Sequence, residues 1–187
     1  MMIRRLYCVA LASSAIMCSA RGEWVSLKNG ASQPAAPAVT VLQDNGSSTI
    51  LRIDLSGFEV TPFQTEGKSY QSIDLLTDAV TAQTGSPEVP YLAEMLAIPD
   101  RGGVTVEGVE MGETQRFPGY TLPPARPSWQ EGAPEPGYVK NTAAYHSAAA
   151  YPESAVGVDQ PAVFRDLRIA RVVIYPVRFI EPVDLAA

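Results

Sequence analysis

Thiol and imidazole are nearly missing from this chain, which has two cysteines and one histidine in 187 residues. A single imidazole, that of His146, cannot build the usual two- or three-histidine zinc site. A Ser-His-Asp triad would have to use His146, yet no Gly-x-Ser-x-Gly elbow surrounds any serine. A phosphate loop is also missing, because Gly102-Gly103 has no Gly-Lys-Ser/Thr downstream. The acidic residues are scattered, without calcium-loop spacing, and nothing singles out a carboxylate pair for glycoside chemistry. No metal and no cofactor is expected. Basic charge is short as well: 14 Lys and Arg stand against 20 Asp and Glu, a net charge of −6. Such a surface repels nucleic acid and anionic lipid, so neither is an expected partner.

Long apolar runs are absent too. The longest, residues 6–17, falls below the roughly 20 residues that a membrane-spanning helix needs. It follows Arg4 and Arg5 and precedes Cys18-Ser19-Ala20, the pattern of a secretory signal over residues 1–20 cut between Ala20 and Arg21. Lipidation at Cys18 is the competing reading, but it wants a small residue before the cysteine, where Met17 stands. Cleavage would lower the basic count from 14 to 12 against 20 acidic residues, leaving −8. It would also remove Cys8 and Cys18, and with them every thiol nucleophile, disulfide and cysteine ligand. The expected product is a secreted, periplasmic or extracellular bacterial protein with no stable membrane anchor. Residues 21–187 form one domain, large enough to bury a core without a metal or crosslink.

What is present is alternation. Leu51, Ile53 and Leu55 alternate with Arg52 and Asp54, a half-buried strand. Ser56-Gly57 breaks that run, and Phe58 and Val60 resume it. Residues 70–75 alternate again. Gly85-Ser86-Pro87-Glu88-Val89-Pro90 is rigid punctuation, and residues 91–98 after it are apolar enough to be buried. Trp24 should anchor a first strand. Residues 39–42 form a short strand before the turn Asp44-Asn45-Gly46, and Asn45 reads as a turn residue before a glycosylation acceptor. Val104, Val106 and Val109 suggest another strand, and residues 114–117 one more. Six prolines crowd residues 118–136, favouring extended, loop-like backbone. Residues 138–151 can hold a short helical turn. Along residues 167–179, Leu167, Ile169, Val173, Tyr175, Val177 and Phe179 share one parity of a long strand, with Pro176 marking a bulge or edge. The sequence predicts an all-β antiparallel sandwich of about seven to nine strands with a Pro-rich loop. On residues alone it is a secreted, non-catalytic domain, and a free-standing binding or adhesion module is the competing reading.

Five motifs carry a resemblance. Glu23-Trp24-Val25-Ser26-Leu27 looks like the mature start of gingipain-type cysteine peptidase precursors. The run from Leu51 to Phe58 resembles the first recurring motif of the gingipain propeptide domain. Residues 85–92 with Ile98-Pro99 are similar to its Gly-x-Pro-x-x-Pro … Ile-Pro segment. Tyr145 with Tyr151-Pro152, then residues 163–167 and Val173-Ile174-Tyr175-Pro176-Val177, look like its closing motifs. The match covers about residues 22–180. The resemblance implies a prodomain of the C25 family, made ahead of a caspase-like cysteine peptidase domain, in cis or acting in trans. It would assist folding of that domain and hold it inactive by occupying its substrate cleft. The catalytic Cys and His of such a peptidase are not in this chain. Family peptidases often prefer a basic residue before the cut, so Arg126, flanked by Pro124 and Pro127 in the Pro-rich segment, is the candidate inhibitory contact, with Arg116 and Arg101 as runners-up.

Overall fold

A computed structural model describes residues 22–180 except 31 and 78. The expected leader and its cleavage point at Ala20–Arg21 lie outside the described residues, as do residues 181–187. In chain order come β1 (Glu23–Ser26), β2 (Ala38–Asp44), β3 (Thr49–Asp54), β4 (Gly57–Thr65), β5 (Lys68–Asp74), β6 (Leu92–Ala97), the one-turn helix α1 (Thr142–Tyr145), β7 (Val156–Val158), β8 (Ala162–Phe164) and β9 (Leu167–Ile174). The strands form three antiparallel groups. One is the sheet β1-β4-β5, one the hairpin β2-β3, and one the sheet β6-β9-β7, in which β8 also pairs with β9. The all-β antiparallel fold is the one the alternation predicts.

Local chemistry explains the turns. The β2-β3 turn is held by side chains: Asn45 Oδ1 accepts from the Ser47 and Ser48 amides at 3.0 and 2.8 Å, and Asp44 Oδ1 from the Gly46 amide at 3.0 Å. Glu66 and Gly67, between β4 and β5, both have positive φ, the backbone that a two-residue turn needs to match the twist of its strands. The helix starts at Asn141, whose Oδ1 accepts from the Ala143 amide at 3.1 Å.

The core lies where the sheets face one another. Phe58 and Val60 come from β4, Ile73 from β5, Leu92 from β6, and Val172 and Ile174 from β9. Leu75, Val89 and Leu122 arrive from connections between strands. Full burial of a Leu or Val side chain contributes about 1.5–3 kcal/mol, so Leu75 and Val89, at 1% and 0% exposure, are among the strongest single contributors.

Three expectations are corrected. Val104, Val106 and Val109 form no strand, nor do residues 114–117, and residues 105–117 are exposed. Alternation supplies a strand's faces but not its partner, and among the described residues no neighbouring edge lies beside this segment. Residues 91–98 are not uniformly buried: β6 alternates, and Met95 is 69% exposed. The long final strand ends at Ile174. Past Pro176 the chain returns only as a bridge, with Phe179 and Tyr151 exchanging two 2.7 Å amide-to-carbonyl bonds. Both parities of β9 are buried towards its end: the core cluster takes Val172 and Ile174, and Val173 on the other face is also buried, while Leu167 at the start of that stripe is exposed.

Candidate functional site

Residues 103–116 carry no strand and no backbone hydrogen bond among the described residues. Both ends of this arm are fixed. On the N-terminal side the Arg168 guanidinium donates to the carbonyls of Pro99 at 2.7 Å and Gly102 at 2.6 Å, and the Arg168 carbonyl accepts from the Ile98 amide at 2.9 Å. On the C-terminal side Phe117 meets Phe58, a core residue, edge to face at 5.2 Å. Between these anchors Val106, Val109 and Met111 stand 40–55% exposed. Arg116 is exposed and makes no side-chain hydrogen bond or ion pair among the described residues.

Beyond the arm, the Pro-rich segment is held in place at its middle. Residues 122–125 are buried. They run against residues 85–88 through Gly85 N to Ala125 O, Ala125 N to Ser86 O and Glu88 N to Pro123 O, each 2.8 Å. Proline lacks a donor, and here the prolines sit where only their carbonyls are needed. The Tyr145 hydroxyl donates to the Leu122 carbonyl at 2.9 Å, and burial pushes its pKa well above the ordinary tyrosine value. Gly85 turns with φ +80, and its carbonyl accepts from the Asn141 amide at 2.9 Å, which joins this ladder to the start of the helix.

Arg126 leaves the ladder into a cage. Its guanidinium lies 4.7 Å from the Trp129 ring centroid and 4.8 Å from that of Tyr138, and donates to Glu135 Oε2 at 2.7 Å. Its side chain keeps 22% of its exposure. The Glu135 hydrogen bond raises its pKa further above an already basic value. Tyr138 continues the stack onto Tyr70 at 5.8 Å and Phe63 at 6.0 Å. Glu88 lies near enough for its carboxyl to feel Arg126. Burial pushes the Glu88 pKa up, and the guanidinium opposes that shift.

The structure therefore separates the sequence candidates. Arg126 is caged, Pro124 is fully buried with its backbone bridged to Pro87, and Pro127 is half-buried beside the cage. Arg116 is on the free arm. Arg168, Trp129, Glu135 and Tyr138 went unnoticed in the sequence because their roles depend on neighbours 3 to 69 residues away, with no period linking them. Among the described residues no group of three His, Cys, Asp or Glu side chains converges as a metal site, and no helix is long and apolar enough to cross a membrane.

The comparisons with known proteins agree on one kinship. The family model Propeptide_C25 matches residues 29–185. A structure addressing the zymogenic latency of gingipain K from Porphyromonas gingivalis superimposes with a TM-score of 0.70 at 22% identity, covering 86% of this chain and 88% of that one. The complex of RgpB pro- and mature domains from the same organism gives 0.66 at 20% identity, covering 76% and 75%. No curated protein sequence matches the chain. With the family model spanning most of its length and the fold in agreement, this chain belongs to the C25 propeptide family.

Proposed function

We propose that this chain is the prodomain of a secreted gingipain-like cysteine peptidase. It assists the folding of a caspase-like catalytic domain and holds it inactive by occupying the substrate cleft, in cis within a precursor or in trans. It performs no bond chemistry itself. The observation that carries this reading is the arm at residues 103–116: outside any strand, exposed along nearly its whole length, without backbone hydrogen bonds among the described residues and anchored at both ends. An extended segment with free backbone donors and acceptors can add to a cleft as a strand, and anchored ends reduce the entropy lost on docking. Arg116, near the arm's C-terminal anchor, is the basic side chain that reaches the specificity pocket. Arg126, Pro124 and Pro127 shape the frame from which the arm projects. The family assignment and the sequence leader support a secreted setting.

Titrating the purified chain against the C25 peptidase of its source organism tests the proposal. Arg116→Ala should raise the inhibition constant about 30-fold or more, the loss expected of an interface anchor, and Arg126→Ala should raise it far less. An unchanged constant for Arg116→Ala removes that residue from the cleft. A wild-type chain that leaves the peptidase fully active ends the prodomain reading. It would favour instead a secreted binding module, whose ligand site would be the groove of about 680 Å³ lined by Tyr91, Tyr151 and Tyr175.

A further inference from the structure

Three parts of the chain converge on an open groove of about 680 Å³, inside the size range of ligand sites. Tyr91 stands just before β6 and Tyr175 just after β9, with ring centroids 5.8 Å apart and planes tilted by 59°. Tyr151 joins them from the connection after α1, its hydroxyl donating to Gln83 Oε1 at 3.3 Å. All three tyrosines are half-buried, so each keeps part of an apolar ring open beside its polar tip. Arg171 Nε donates to Asp159 Oδ2 at 2.6 Å, and both side chains remain about half exposed. The pair cancels its own charge yet keeps further guanidinium donors and carboxylate lone pairs to offer. Ser86 lies on the inner side of the groove, fully buried, with a hydroxyl that has no hydrogen-bond partner among the described residues. That unmet hydrogen bond is a polar point that a packed apolar wall would not contain.

The chemistry of the lining selects the ligand. The backbone amides of Tyr91, Tyr151 and Tyr175 already donate within the domain, to the carbonyls of Ala79, Phe179 and Ala155 at 3.0, 2.7 and 2.8 Å. A peptide strand finds no ladder to extend at these residues. A cation would meet Arg171, and an anion would meet Asp159 and Glu153. A wholly apolar ligand would cover these polar groups without pairing them, at a cost in free energy. The lining suits a neutral molecule that has flat C–H faces for the rings and closely spaced hydroxyls for the polar groups. We propose that this groove is a binding site for a neutral oligosaccharide. The C–H face of a pyranose lies on a tyrosine ring, and its neighbouring hydroxyls donate to Asp159 and accept from Arg171. The open length of the groove suits a chain of sugars. The inference does not rest on the prodomain reading, because it requires no partner protein.

Isothermal titration of the full chain with maltoheptaose, cellohexaose, mannohexaose and chitohexaose, each up to about 10 mM, tests the proposal. At least one should bind with a dissociation constant of about 1 mM or tighter. For that saccharide, Tyr91→Ala and, independently, Asp159→Ala should each weaken binding about 10-fold or more. Asp159 is exposed, so its replacement leaves the core intact, and thermal melts confirm that each variant is folded. Tyr91→Phe keeps the ring and should stay within about 3-fold of the wild type. Phe164→Ser, at an exposed aromatic position outside the groove, should bind as the wild type does. If none of the four saccharides binds, the inference falls. If one binds and both groove variants hold it as tightly as the wild type, the sugar sits elsewhere and the inference is overturned. If tetramethylammonium binds more tightly than any saccharide and Tyr91→Ala loses it, the ligand is a cation and the inference is again overturned. No peptidase is present in any of these titrations, so their outcome is separate from that of the inhibition assay.

Discussion

The indole of Trp24 fills the space above Gly57: a Cβ added at Gly57 would lie 2.5 Å from Trp24 Cζ2, and would also collide with the Val25 carbonyl. β1 and β4 pair across this point, Ser26 opposite Gly57 and Trp24 opposite Glu59. A glycine that interrupts the apolar alternation is thus what lets the tryptophan lie flat on the strand. Gly57→Ala should destabilise the fold by about 1–3 kcal/mol, the usual cost of overpacking. Urea unfolding measures it, and an unchanged midpoint would mean the indole moves aside freely.

The cage around Arg126 predicts a different pattern. Arg126→Ala removes two ring contacts and leaves Glu135 without its partner, so stability should fall by about 1–2 kcal/mol. Arg126→Lys should recover only part of that, because an ammonium lacks the planar group that stacks between Trp129 and Tyr138. Trp129 fluorescence and thermal melts read both effects. Equal stability for the alanine and lysine variants would show that only charge matters.

Glu88 makes stability depend on pH. Its folded pKa is raised, chiefly by burial, so the folded chain holds this proton more tightly than the unfolded chain does. The sign follows from linkage: its contribution to stability is greatest when the group is protonated, and declines as pH rises from the ordinary carboxylate value through the raised folded one. Glu88→Gln should therefore be more stable than wild type at neutral pH, with the gap closing on acidification. Denaturant midpoints across that range decide it. A gap that widens in acid would contradict the burial argument.

Ser86 is fully buried, and its hydroxyl has no hydrogen-bond partner among the described residues. Its backbone is already committed, the carbonyl accepting from Ala125 and the amide donating to Gln83. An unsatisfied buried hydroxyl costs about 1–3 kcal/mol. Ser86→Ala should thus hold or raise the melting temperature, against the usual direction of core substitutions. A clear loss of stability would reveal a partner for the hydroxyl.

Much of this fold was legible because alternation and turn chemistry act locally. Leu51, Ile53, Phe58 and Val60 reported their faces through their nearest neighbours, and Asp44-Asn45-Gly46 reported its turn through side-chain acceptors within a few residues. What failed needed distant information. The valines at 104, 106 and 109 read as a strand because periodicity does not say whether a second edge lies alongside. Both parities of β9 are apolar, so the sequence did not say which residues enter the core; the strands packed over it bring in Val172 and Ile174. The candidate site divided in the same way. Arg126 and Arg116 were both visible as basic residues near prolines. Which was caged and which was exposed depended on Trp129, Glu135 and Tyr138 folding back onto the first, and on none of the described residues folding onto the second.

Anchoring the arm at both ends also governs what a proteolytic nick would do. A cut within residues 103–116 divides the chain between β6 and everything after it, yet β6 stays zipped to β9 and residues 85–88 stay laddered to residues 122–125. The two pieces would part on a denaturing gel and travel together on a native column. Severing the arm would leave the body that carries it assembled.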